Sequence, residues 1–167
     1  MGKPPDRFSA DNSYRINGWV TSGSGRDPVR ADYGRTIMLA YLWVAIGGAL
    51  GSVTRYWIGG LVSEKTGGSF PWGTLVINIT GSFIIGILGA LVVPEGKMTP
   101  QTRALTTQLL ITGVCGGYTT FSSFSLQTLN LLRDGEWFYA AGNILLSVIL
   151  CLIAVWIGFL LGNKFNS

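Results

Sequence analysis

The chain has 167 residues, of which 48% are apolar and 12% charged, with 24 glycines and a formal net charge of +4. A soluble domain carries about twice that charged fraction. The basic balance does not indicate a nucleic-acid partner, because Lys3, Arg7, Arg15, Arg26, Arg30 and Arg35 precede Met38 and the other six basic residues are scattered, whereas nucleic-acid binding needs a clustered basic face.

Residues 1–37 mix Pro, Asp, Ser, Asn, Gly and Arg with no hydrophobic period and include Ser22-Gly23-Ser24-Gly25. Such a segment buries too little surface to offset its ordering entropy, so a disordered N-terminal extension is expected. No apolar run begins near Met1, which argues against a signal peptide. The remainder, 38–167, is expected to form one transmembrane domain.

Four apolar runs fill it: Met38–Val62, interrupted only by Arg55, then Trp72–Val93, Ala104–Leu132 and Trp137–Gly162, the last three without a charge. A helix needs about 20 apolar residues to cross the hydrocarbon core, and each run qualifies. The expectation is an all-α integral membrane protein with four transmembrane helices. The connectors hold nearly all the remaining charge. Pro71, Pro94 and Pro100 fall at run boundaries, where a missing N–H is best tolerated. Trp43, Trp57, Trp72, Trp137 and Trp156 lie mostly near run ends, as interfacial belts require. Gly47/Gly51, Ser82/Gly86, Gly113/Gly117 and Gly158/Gly162 repeat the four-residue spacing that lets helix backbones approach in lipid.

Four crossings put both termini on one side. From Met38 onward that side receives Lys97, Arg103 and Lys164. The other receives Lys65, Arg133 and, if it snorkels outward, Arg55. The core therefore has almost no orientational bias, although Arg30 and Arg35 would favour a cytoplasmic N-terminus.

The chain has no His, which removes the commonest general base and metal ligand. Cys115 and Cys151 lie within apolar runs and read as packing residues. No acidic residue lies inside any run, so a proton-coupled exporter would lack its membrane carboxylate. Neutral donors remain, and nothing suggests an enzyme.

In the third run, Gly116-Gly117-Tyr118-Thr119-Thr120 followed by Ser122, Ser123 and Ser125 is a poor helix interior. A break near its centre is expected, tolerated at membrane depth only where it is buried or lines a cavity. Phe121 and Phe124 share a helical face. Their positive ring edges could line an anion's path, though from spacing alone packing is the simpler reading. Asn78, within the second run, must find a partner, either an anion or a neighbouring helix. Arg55 could snorkel to headgroups or sit in an anion vestibule. Asn143, Ser147 and Cys151 share one face of the fourth run. Ser147 could extend a hydroxyl track or bond back to its own helix.

Three stretches resemble the CrcB/Fluc fluoride channels: Gly47 through Tyr56; Gly73-Thr74-Leu75-Val76-Ile77-Asn78 with Gly81-Ser82-Phe83; and Gly113 through Phe124. The last, Gly-Gly-x-Thr-Thr-Phe-Ser-x-Phe, is the most specific. The resemblance covers about Met38 to Gly162. It implies an antiparallel, dual-topology homodimer in the bacterial plasma membrane, exporting fluoride passively through two pores. It implies pore roles for Asn78, Phe121 and Phe124, with hydroxyls from Thr120, Ser122 and Ser147. It also implies a structural sodium ion held by the backbone carbonyls of Gly116 and Thr119. In some members a Tyr stands at the position of Asn143. A small multidrug-type transporter and a structural assembly subunit are the alternatives.

Overall fold

The computed structural model describes residues 28–92 and 98–166, and all of their regular structure is helical. The contacts divide the chain into Met1–Thr36 and Ile37–Ser167. Most of the expected extension therefore lies outside the described residues. Its last part, Pro28 onward, is helical.

Helix α1 is Pro28–Thr66, α2 is Trp72–Val92 and α6 is Trp137–Asn166. By length and composition, three helical stretches can cross a membrane: Arg35–Thr66, Trp72–Val92 and Trp137–Phe165. The third apolar run is not a continuous helix. It comprises α3 (Pro100–Thr106), a π-helical stretch (Thr107–Cys115), α4 (Gly116–Tyr118) and, after a gap of two residues, α5 (Phe121–Arg133). Large apolar side chains such as Val53, Trp57, Leu152 and Trp156 are exposed. Helices apolar all round, with too little protein to cover them, fit a lipid surrounding.

The ends follow from local chemistry. Thr99 caps α3, its hydroxyl oxygen accepting from the Thr102 N–H at 3.2 Å, with Pro100 opening the helix. Gly135 ends α5 at φ 79°. There Glu136 N–H donates to Leu131 C=O (2.8 Å) and Gly135 N–H to Leu132 C=O (3.2 Å), a Schellman closure that turns the chain directly into α6.

The spaced glycines form two seams. A Cβ on Gly47 would collide with the Leu109 carbonyl oxygen, and one on Gly51 with that of Val114; one on Gly117 would stand 2.5 Å from the Gly48 oxygen. The second seam joins α2 and α6. Gly86 faces the Val155 carbonyl, Gly158 faces that of Phe83, and Gly162 faces Ala90 and Ile87. In both seams the contacts advance in the same direction along the two partners. Thus α1 runs parallel to the third segment, and α2 runs parallel to α6. Conversely, Gly73 meets Gly59 and Ser63 while Gly59 meets Ile77, so α1 and α2 are antiparallel. Ser82, one turn before Gly86, lines a groove.

Gly158→Val should force α2 and α6 apart and lower stability by about 3 kcal/mol, the upper range for overpacking. The thermal midpoint in detergent measures it. Gly89, where a Cβ would meet nothing within 4 Å, supplies the Gly89→Ala control, which should behave as wild type.

Candidate functional site

The break falls at Thr119 and Thr120, whose backbones are extended (ψ 157° and 106°). Gly116 and Gly117 remain helical. Approaching the break, the helix is already loosened: Gly116 N–H reaches both Gly113 C=O and, five residues back, Ile111 C=O. π-helical distortion of this kind recurs at functional sites.

Asn78 holds the break together. Thr120 N–H donates to Asn78 Oδ1 at 2.9 Å, and Asn78 Nδ2 donates to Thr120 C=O at 3.2 Å. One side chain on α2 thus satisfies both backbone groups of an extended residue. Among the described residues the second Asn78 amide hydrogen has no further partner. Thr120 in turn caps α5, its Oγ1 accepting from Ser123 N–H at 3.2 Å. Its hydroxyl donates to Ser123 Oγ at 3.0 Å and lies 3.3 Å from Ser122 Oγ. Tyr118 anchors the other side of the break, with its hydroxyl 2.8 Å from Thr80 Oγ1 on α2.

A groove of about 400 Å³ opens beside this clamp. Asn78, Ser82, Thr120, Phe121, Phe124 and Ser147 are among its lining residues, and none of the lining residues is charged. Phe124 is buried, whereas Phe121 is 78% exposed; their ring centroids are 5.3 Å apart with planes inclined at 48°. Ser147 donates to Asn143 Oδ1 rather than to its own helix backbone. Thr120 also borders a second groove of about 910 Å³, lined by Arg55, Ser52, Ser123 and Gln127.

Sequence comparison adds to this geometry. A family model described as CrcB-like protein, Camphor Resistance (CrcB), matches residues 42–159. The chain belongs to the CrcB family. A protein of Opitutus terrae named fluoride-specific ion channel FluC is 55% identical over 130 residues, covering 78% of this chain and 97% of that protein. Proteins of the same name from Methylocella silvestris (53% over 127 residues, 76% of this chain and 95% of the relative) and Rhodospirillum rubrum (55% over 121, 72% and 92%) are similarly related.

In this CrcB chain the groove brings together five of the six residues assigned to a pore, namely Asn78, Thr120, Phe121, Phe124 and Ser147, together with Thr119. Ser122 is exposed and stands beside the Thr120 hydroxyl. Gly116 is exposed outside the groove, and Arg55 belongs to the larger one. The Thr119 hydroxyl bonds back to Cys115 C=O at 2.9 Å.

Several participants escaped sequence reasoning. Thr128 bonds Asn143 and was detectable only as the residue one helical turn beyond Phe124. Gln127 buries an unpartnered Oε1 at the larger groove. The Tyr118–Thr80 pair joins residues 38 apart in sequence, beyond any local pattern.

Proposed function

We propose that this chain is a subunit of a fluoride channel that lets fluoride leave the cell passively. The observation that carries the reading is the uncharged groove on which an amide, hydroxyls and two phenylalanines converge beside a broken helix. Fluoride is small and strongly hydrated, so a narrow pore must replace its water hydrogen bonds without trapping it. The spare Asn78 N–H, the Ser147 and Ser82 hydroxyls and the positive edges of Phe121 and Phe124 are weak, separate donors suited to that exchange. Arg55 in the larger groove would raise the local anion concentration from outside the narrow path. The similarity to proteins named fluoride-specific ion channels supports the same reading.

The protein is a multi-pass membrane protein, and we read four crossings. The third segment runs parallel to α1 and α6 runs parallel to α2, as alternate crossings of an up-down-up-down chain must. The groove is open in one subunit, with Phe121 exposed at its edge. A second, antiparallel copy would close it, consistent with the nearly unbiased charge distribution of the core. Surrounding lipid covers the remaining apolar surface.

A sodium ion fits the break. Thr120 N–H, which would bond Gly116 C=O in a continuous helix, goes to Asn78; Ser123 N–H, which would bond Thr119 C=O, goes to Thr120 Oγ1. Both carbonyls thus lack their helical donors. Among the described residues no cluster of three His, Cys, Asp or Glu exists, so the ion would be held by neutral oxygens, the two freed carbonyls among them. Gly116 and Thr119 of two subunits would hold the ion on the dimer axis, a structural role in which it neutralises carbonyls otherwise costing about several kcal/mol each at membrane depth. Replacing sodium by a large organic cation should lower fluoride flux and dimer stability, with no sodium current accompanying fluoride. Indifference to sodium contradicts the site, and sodium co-movement would indicate symport.

The function is tested in cells lacking their own fluoride exporter, grown in acidic medium where HF enters and dissociates. Expression of the chain should restore growth in fluoride. Failure of a membrane-inserted chain to do so would contradict the reading. A multidrug-type transporter or an assembly subunit would give no such rescue.

A further inference from the structure

Asn143 on α6 is 1% exposed, and among the described residues no bulkier side chain is buried so completely. It does not line the groove, yet it connects two residues that do. Its Nδ2 donates to Thr128 Oγ1 at 2.8 Å, and Thr128 Oγ1 donates to the Phe124 carbonyl at 2.8 Å. On its other side, Ser147 Oγ donates to Asn143 Oδ1 at 3.5 Å. The relay therefore runs from Ser147 through Asn143 and Thr128 to Phe124, and both of its ends lie in the groove.

The direction of each of these three hydrogen bonds follows from its donors and acceptors. Thr128 has a single hydroxyl hydrogen, and it is committed to Phe124 C=O. Toward Asn143, Thr128 can only accept. The amide must then present its NH₂ to Thr128 and its carbonyl to Ser147. Ser147 thus meets an acceptor and turns its only hydrogen inward, but at a length where a hydrogen bond is at its weakest. The short bonds and the long one differ in role: those at Thr128 lock the amide, while the one at Ser147 is easily given up.

We propose that Asn143 is a positioning residue of the anion path, holding the Ser147 hydrogen in a bond weak enough for fluoride in the groove to displace. The inference rests on the channel reading. Without an anion, the hydroxyl rests against Asn143 and is not left unpaired. With fluoride beside Ser147, the hydrogen turns to the ion and returns after it leaves. Each passage exchanges one hydrogen bond for another, so the ion is neither excluded nor retained. Thr128 acts one step further back. Without its hydroxyl the amide loses its key, can rotate, and no longer presents a fixed acceptor to Ser147.

The test is a mutant cycle on fluoride efflux from liposomes, with helicity and dimer size checked for every variant. Asn143→Leu and Ser147→Ala should each lower flux about tenfold, the effect of one typical hydrogen bond. Together they should lower it by little more than either alone, because residues in one network couple. Thr128→Val should reproduce Asn143→Leu, and Thr128→Ser, which keeps the hydroxyl, should restore flux. If Asn143→Leu does not fold, the Thr128→Val and Ser147→Ala cycle carries the same comparison. Multiplying losses, or flux at the wild-type level in Asn143→Leu or Thr128→Val, would overturn the relay while leaving the channel reading intact. Absence of fluoride efflux from the wild-type protein would overturn both.

Discussion

Phe124→Ile should reduce fluoride flux by about a hundredfold or more while leaving a folded dimer, and Phe121→Ile should do the same. Isoleucine keeps most of the bulk but presents no positive ring edge to an anion. Losing an electrostatic contact worth about 2.7 kcal/mol in the rate-limiting position slows passage a hundredfold. The two residues differ in what else they do. Phe124 is buried beside Phe121, so part of any loss there is packing. Phe121 is largely exposed in the single subunit and provides the cleaner variant. Purified variants with normal dimer size and wild-type flux would mean that these rings only pack.

Asn78→Leu should have the second large effect, on stability and flux together. It removes the acceptor of Thr120 N–H and the donor to Thr120 C=O at once. Two backbone groups left unpaired cost about 1–3 kcal/mol each, so a loss of about 2–6 kcal/mol is expected, read as a lower thermal midpoint. Flux should disappear, because the extended residues at 119–120 would no longer be held apart from the helix. A variant as stable as wild type would show that water or another side chain satisfies Thr120, and that Asn78 is not the clamp.

The helices were largely legible in the sequence. The second run, expected over Trp72–Val93, forms α2 over Trp72–Val92, and the fourth begins at Trp137 as expected. Continuous apolarity and bounding prolines and glycines are local signals. The helices α1 and α6 extend beyond their apolar runs because a helix continues into polar sequence until a terminating residue intervenes. A break in the third run was legible, but its position was only approximate. Gly116 and Gly117 have the poorest helix propensity, yet they stay helical because Gly117 must lie against the Gly48 backbone. The chain opens two residues later, where Asn78 receives the backbone of Thr120 and Thr120 caps the next helix. That partnership spans 42 residues and leaves no local trace. For the same reason the sequence showed Asn78 as a polar group needing a partner, and Asn143 and Ser147 as neighbours on one helix face, without showing which partners they would take.

Whether the uncharged groove conducts fluoride is read from anion efflux out of liposomes containing the purified protein, followed with a fluoride electrode and in parallel with a chloride electrode. Rapid fluoride release is expected, with chloride release no faster than from protein-free liposomes and the fluoride signal lost in Phe121→Ile. Fluoride release no faster than from protein-free liposomes would contradict the channel reading.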